Sequence, residues 1–249
     1  MNFKPKLVVF DLDGTLAESK QRVTADMGNL LARLLKKMPV AVMSGASYAQ
    51  METQFLPALP ADAKLDNLYL FPTNAAHCYI HKGGAWTTAY DESFTLMERE
   101  RILRALSEAL EETKFVQPPK LWGEQIEDRG GEITFSALGQ KAPLEEKKKW
   151  DPTHEKRKPL YEALVKKLPD FSIGLNANTS IDITHKGVTK AYGIGQLAGL
   201  TDISVSEMIY VGDALGEGGN DAVVIPTGVR TQGVFGPAET AKVIEEVLR

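Results

Sequence analysis

The nine residues Leu7–Thr15, LVVFDLDGT, constrain this chain more than any other stretch. Four apolar, mostly β-favouring residues give way at once to Asp11 and Asp13, one residue apart, and then to Gly14 and Thr15. An unbroken Leu-Val-Val-Phe run suits a strand buried on both faces, as parallel strands are. Such a strand delivers two carboxylates to its C-terminal end, the edge at which open α/β sheets bind ligands. Two acids placed there suggest a metal and an anionic substrate. Taken alone, the same residues also describe a strand running into an ordinary Asp-Gly turn, so the rest of the chain has to decide.

With 249 residues, 43% of them hydrophobic, the chain can bury one large core or a core plus an inserted domain. A helix is predicted over Val23–Lys37, with Met27, Leu30, Leu31, Leu34 and Leu35 on one face, Thr24 as its N-cap and Lys36 and Lys37 at its end. PVAVMSG, residues 39–45, reads as the next strand, and a right-handed crossover makes it parallel to the first. A helix over Tyr48–Leu56 and a strand LYLF at 68–71 follow.

From Gly83 the pattern changes. Short β-like pieces at Trp86–Tyr90, Ile126–Asp128, Glu132–Leu138, Phe171–Leu175 and Ser180–Thr184 enclose helices at Leu96–Thr113 and Glu155–Leu168. Arg129-Gly130-Gly131 reads as a tight hairpin turn. This predicts an inserted α+β domain over 83–186 with an antiparallel sheet, acting as a lid on a core made of 1–82 and 187–249. The parallel pattern resumes with a helix at Thr189–Leu200, a strand at Met208–Val211, the loop GDALGEGGND, a short AVVIP run and a last helix over Pro237–Leu248. EEKKKW, residues 145–150, reads as a solvated surface. The expected fold is α/β, a Rossmann-like parallel-sheet core with an inserted α+β domain.

Net charge is −4 and lysines are interleaved with glutamates, which argues against a nucleic-acid partner. The opening LVVF is too short for a secretion signal and no apolar run spans a bilayer, so a cytoplasmic protein without a membrane partner is expected. Cys78, the single cysteine, reads as a small buried hydrophobe, and the four histidines lack metal-ligand spacing.

The strand and helix ends carry Asp11 and Asp13, Ser44 and Gly45, Lys190, and Asp213 with Asn220 and Asp221. Together these residue types suit phosphoryl transfer, which needs a nucleophile, a proton donor for the leaving oxygen and positive charge around the phosphoryl group. Asp11 is the candidate nucleophile, forming an aspartyl-phosphate, and Asp13 the candidate acid and base. Mg²⁺ held by Asp11, the backbone carbonyl of Asp13 and Asp213 would offset the repulsion between carboxylates and phosphate. The glycines at 216, 218 and 219 let the chain fold back so that Asn220 and Asp221 return to the metal. Ser44, with Gly45 allowing close approach, can hold a phosphoryl oxygen, though a serine after a strand is also a common helix cap. Lys190 opens a helix, where the dipole disfavours a cation, so it either points at an anion or lies on a solvated surface.

DLDGT, VMSG, a lysine opening a helix and GDALGEGGND, in that order, resemble the four motifs of the haloacid dehalogenase superfamily of phosphotransferases. The insert resembles the C2-type cap of its IIB branch, and the similarity is closest to eukaryotic-type phosphomannomutases, through IEDRGGEITFSALGQ, GLNANTSID, GGND and RTQGV. The resemblance implies the same roles for Asp11, Asp13, Ser44, Lys190 and Asp213, and adds a cap that binds substrate. There Arg129, Ser180 and Asp182 match the family's pattern, whereas Gln140, Lys147 and, in the core, Lys20 stand where arginines are expected. It also implies a homodimer formed through the cap. Lysine keeps the charge without the bidentate fork, and glutamine loses the charge. Weak capture of a second phosphate favours loss of the phosphoryl group to water. The sequence therefore points first to a Mg²⁺-dependent sugar-phosphate phosphohydrolase, next to a phosphomannomutase interconverting mannose 1- and 6-phosphates, and more remotely to a non-catalytic sugar-phosphate sensor.

Overall fold

The computed structural model describes residues 3–18, 21–176, 179–216 and 219–249. The chain forms two compact units, Met1–Asp91 with Val188–Arg249, and Glu92–Gly187. The first is a seven-stranded sheet. Five strands are parallel: β1 (Leu7–Asp11), β2 (Val40–Met43) and β3 (Leu68–Phe71) on one side, with β10 (Met208–Gly212) and β11 (Arg230–Gly233) beyond β1 on the other. β4 (His77–Lys82) and β5 (Ala85–Asp91) extend it antiparallel from β3. This moves the expected boundary. Residues 83–91 belong to the core sheet and not to the insert, because β5 pairs along its length with β4. Gly83 and Gly84, both at positive φ, make the hairpin turn between them.

β1 is buried throughout. Val8 and Phe10 enter the apolar cluster shared with α1 (Ala25–Leu35) and α7 (Pro237–Leu248), while Leu7 and Val9 enter the cluster on the other side with Ile194 and Leu197 of α6 (Lys190–Thr201). Burying each such side chain contributes roughly 1.5–3 kcal/mol, which fixes the register of the strand and with it the position of Asp11. α1 is capped by Thr24, whose hydroxyl accepts from the Met27 N–H. α2 (Tyr48–Gln54) has a full capping box built on Ser47 and Gln50, so the cap is Ser47 and not Ser44. The AVVIP run forms a 3-10 turn over Ala222–Thr227.

The second unit is an antiparallel sheet in the order β6 (Ile126–Asp128), β7 (Glu132–Ser136), β9 (Ser180–His185), β8 (Phe171–Asn176). Ile133, Phe135, Ile181 and Ile183 form one core with Ile102 and Leu106 of α3 (Leu96–Glu112) and Leu160 and Leu164 of α5 (Lys158–Lys167). The alternation places Glu132, Thr134 and Ser136 of β7 on the opposite face, beside Thr184, Asp182 and Ser180 of β9. EEKKKW closes a short, largely exposed helix, α4 (Leu144–Trp150). Among the described residues no helix is long and apolar enough to cross a membrane.

Candidate active site

Asp11 ends β1, Asp213 follows β10, and Lys190 is the first residue of α6. The Lys190 ammonium donates to Asp11 Oδ1 at 2.5 Å and to Asp221 Oδ1 at 2.6 Å. All three are buried: Lys190 is 1% exposed, Asp11 4% and Asp221 0%. The inward turn of Lys190 answers the dipole objection, since two carboxylates compensate for a cation at a helix N-terminus. Asp221 Oδ1 accepts a second donor, the Tyr210 hydroxyl at 2.5 Å, and its Oδ2 accepts the Ala214 N–H at 3.1 Å.

Asp11, Asp213 and Asp221 offer carboxylate oxygens that all lie within 4.8 Å of one another. Hard oxygen donors of this kind suit a small divalent cation. The backbone is shaped for the cluster. Gly14, at φ +84, would place a Cβ 2.4 Å from Asp213 Oδ2, and a Cβ on Gly212 would lie 2.4 Å from Asp221 Oδ2. Any larger residue at either position would push a carboxylate out of the group. Burial, together with the charge of Asp221 and against the pull of Lys190, pushes Asp11 up to about 7. Burial and Asp221 also raise Asp213. Lys190 is raised because its two carboxylates outweigh the cost of burial. A cation bound among the three acids would lower their affinity for protons and offset their mutual repulsion. Asn220, next to Asp221, is exposed.

Asp13 is half-buried, and its Oδ1 accepts from the Gln54 side chain at 3.1 Å. Ser44 is buried, its hydroxyl accepting from Ala46 N–H at 3.0 Å. The carbonyls of Ser44 and Ala46 accept from Asn74 and Thr73. Gly45 is half-buried beside the Asn74 side chain. The bracing segment is strained: Thr73, Asn74 and Ala75 all have positive φ, at 52°, 52° and 69°. For Thr and Ala that conformation is disfavoured, and strain of this kind concentrates at functional loops. Lys20 lies outside the described residues.

In the second unit, Arg129 donates to Glu127 Oε2 at 2.6 Å and to Glu132 Oε1 at 2.8 Å. Ser180 and Asp182 share one face of β9, opposite Ser136 and Thr134. Gln140 donates to the Gln125 carbonyl at 3.4 Å, and Lys147 donates to the Gln140 carbonyl at 3.2 Å. Ser180 is held from behind by Arg157, a fully buried arginine that pairs with Asp151 at 2.8 Å and donates to the Ser180 carbonyl.

Four features are absent from the sequence reading: Gln54, Tyr210, the left-handed turn 73–75 and the Asp151–Arg157 pair. A tyrosine inside the otherwise apolar strand MIYVG is itself a signal, because a buried hydroxyl requires a partner. Arg157 gives none, lying in the charged run HEKRK.

A model of the eukaryotic phosphomannomutase family matches residues 27–249. The chain belongs to that family. It is 28% identical to a phosphomannomutase of Spinacia oleracea over 255 residues, covering 99% of this chain and 98% of the relative. It is 29% identical to that of Saccharomyces cerevisiae over 258 residues, covering 98% and 95%. Among solved structures, a haloacid dehalogenase-like hydrolase from Bacteroides thetaiotaomicron aligns with TM-score 0.68 at 14% identity, covering 98% of this chain and all of that one. A Plasmodium falciparum IMP-nucleotidase aligns with TM-score 0.71 at 17% identity, covering 98% and 62%. These likenesses show the fold: a haloacid dehalogenase core with a Rossmann-like sheet. As a member of the phosphomannomutase family the chain is an enzyme of the haloacid dehalogenase phosphotransferase class. The family model begins after Leu7–Thr15, whereas the full-length relatives extend over nearly the entire chain.

Proposed function

We propose that this protein is a cytoplasmic, Mg²⁺-dependent hexose-phosphate phosphotransferase working as a phosphomannomutase, through an aspartyl-phosphate on Asp11. The observation that carries the chemistry is Lys190 held between Asp11 and Asp221 beside Asp213. Full-length similarity to proteins named phosphomannomutase reverses the order reached from sequence, where release to water ranked first.

In this reading an Asp11 carboxylate oxygen bonds to phosphorus as the phosphorus–ester oxygen bond breaks, and Asp13 gives its proton to the departing sugar oxygen. With a hexose bisphosphate as the donor, the phosphoryl group then passes from Asp11 to the free hydroxyl of a hexose monophosphate, whose proton returns to Asp13 and whose existing phosphate stays on the sugar. Lys190 stays protonated and balances negative charge at Asp11 throughout, and the Ser44 loop holds a phosphoryl oxygen. Asp11, Asp213 and Asp221, with the Asp13 carbonyl, would hold Mg²⁺, which when bound would supply further charge neutralisation. Arg129, Ser180, Asp182, Gln140 and Lys147 are proposed to contact the sugar or its second phosphate.

Hydrolysis is the second reading, favoured by one observation. Gln140 is uncharged and bonded to the Gln125 carbonyl, and Lys147 is directed to the Gln140 carbonyl, so neither offers a guanidinium fork. Incubation with mannose 1-phosphate, Mg²⁺ and a trace of hexose bisphosphate to load Asp11, following mannose 6-phosphate and inorganic phosphate side by side, separates the two. Interconversion faster than phosphate release is expected; release without interconversion would leave the hydrolase.

A further inference from the structure

Tyr210 belongs to a buried strand, yet its hydroxyl ends on the same oxygen of Asp221 that holds Lys190. It is fully buried, and the Lys190 ammonium lies 6.0 Å from the centre of its ring. The close fit depends on Gly212, where a Cβ would meet Tyr210 Cε1 at 2.8 Å and Asp221 Oδ2 at 2.4 Å. Asp221 Oδ1 therefore has two competing donors, the neutral phenol and the ammonium. Lys190 has two competing acceptors at nearly equal distance, 2.5 Å to Asp11 and 2.6 Å to Asp221. The four groups form one chain: Tyr210 to Asp221, Asp221 to Lys190, Lys190 to Asp11.

We infer that Tyr210 is a positioning residue that sets how Lys190 is shared between Asp221 and the nucleophile. By donating to Asp221 Oδ1 it satisfies part of that carboxylate's hydrogen-bonding capacity and weakens its hold on the ammonium. Lys190 is then available to Asp11 and to the phosphoryl group as it arrives. Without the hydroxyl, Oδ1 keeps the ammonium as its side-chain donor, and the ammonium moves toward Asp221. Asp11 then faces the phosphoryl group with less positive charge beside it. The effect falls on the loaded state of Asp11 and not on substrate capture, and it rests on the reading of Asp11 as phosphoryl acceptor.

The test uses beryllium fluoride as a mimic of the acyl-phosphate, observed by ¹⁹F NMR in the presence of Mg²⁺. The wild type is expected to show protein-bound fluoride resonances that Asp11→Asn abolishes; without them the proposed function and this inference both fall. Tyr210→Phe is expected to weaken the adduct about tenfold, the scale for a buried carboxylate losing one donor. Mg²⁺ affinity without fluoride, read from the melting shift, is expected to change less than about twofold, since the acids stay in place. A second arm guards against a purely structural effect. On an Asp221→Asn background, which removes the competing charge, Tyr210→Phe is expected to weaken the adduct by no more than about twofold. A wild-type adduct that Tyr210→Phe leaves unchanged would overturn the inference while sparing the proposed function. An equal loss on both backgrounds, or a loss of Mg²⁺ affinity that matches the loss of the adduct, would overturn it too.

Discussion

The acidic corner of the first unit and the polar sheet face of the second solve the same problem, a buried cation among carboxylates, in opposite ways. Around Asp11, two acids share one ammonium with a third, Asp213, beside them, and the excess negative charge is held together by backbone shaped for it at Gly14 and Gly212. Around Ser180, Arg157 and Asp151 pair one to one, and two backbone N–H groups, of Lys156 and Arg157, also donate to the carboxylate. Arg129 differs from both, spanning two acids, Glu127 and Glu132, through separate guanidinium nitrogens. An underneutralised cluster attracts a cation and a reacting group, whereas a saturated pair serves as support. Chemistry is therefore expected in the first place and shaping of the substrate in the second.

Three substitutions and one change of conditions test this contrast. Lys190→Met should have the largest effect, lowering turnover roughly a thousandfold or more and destabilising the protein in chelator by about 3–5 kcal/mol, because it leaves buried carboxylates without their ammonium. Steady-state kinetics and denaturant unfolding check both. Arg157→Met should cost a similar 3–5 kcal/mol by stranding Asp151, yet should leave formation of the Asp11 adduct within about threefold. A loss of adduct as large as that of Lys190→Met would erase the distinction between the two regions.

The third concerns pH. Asp11 is pushed up to about 7, so between its ordinary value near 3.8 and that point the folded protein holds a proton that the unfolded chain has released. Stability in chelator should therefore fall as pH rises from about 4 to about 7, and saturating Mg²⁺ should flatten that slope. Melting temperatures across this range with and without Mg²⁺ read it directly. Gln140→Arg should have the smallest effect, raising the ratio of interconversion to phosphate release about threefold by restoring a guanidinium fork. A ratio that stays constant would remove Gln140 from the control of that partition.

Legibility in the sequence follows the same divide. The strand ends that carry Asp11 and Asp213 were visible because an apolar run stopped abruptly at an acid, and Lys190 was visible because a helix start is an unfavourable place for it. The bounds of the last helix, Pro237–Leu248, match the prediction residue for residue. β4 and β5 were less legible. HCYIHK and AWTTAYD alternate weakly, and β5 was assigned to the insert, since nothing local reveals that a strand completes the core sheet. β11, RTQG, carries no apolar signal at all. The turn at Thr73–Ala75 runs against local preference and is held by the Ser44 and Ala46 carbonyls, so only tertiary contacts disclose it. Arg157 was hidden for a related reason: in a charged run, the one side chain that turns inward looks like its neighbours.

The proposed function stands on Asp11 as the acceptor of the phosphoryl group. Rapid acid quenching of the enzyme with Mg²⁺ and ³²P-labelled hexose bisphosphate, followed by reductive trapping and mass spectrometry, tests it most directly. The label is expected on Asp11, and Asp11→Asn is expected to take up none. Label on any other residue, or turnover by Asp11→Asn at the wild-type rate, would contradict it.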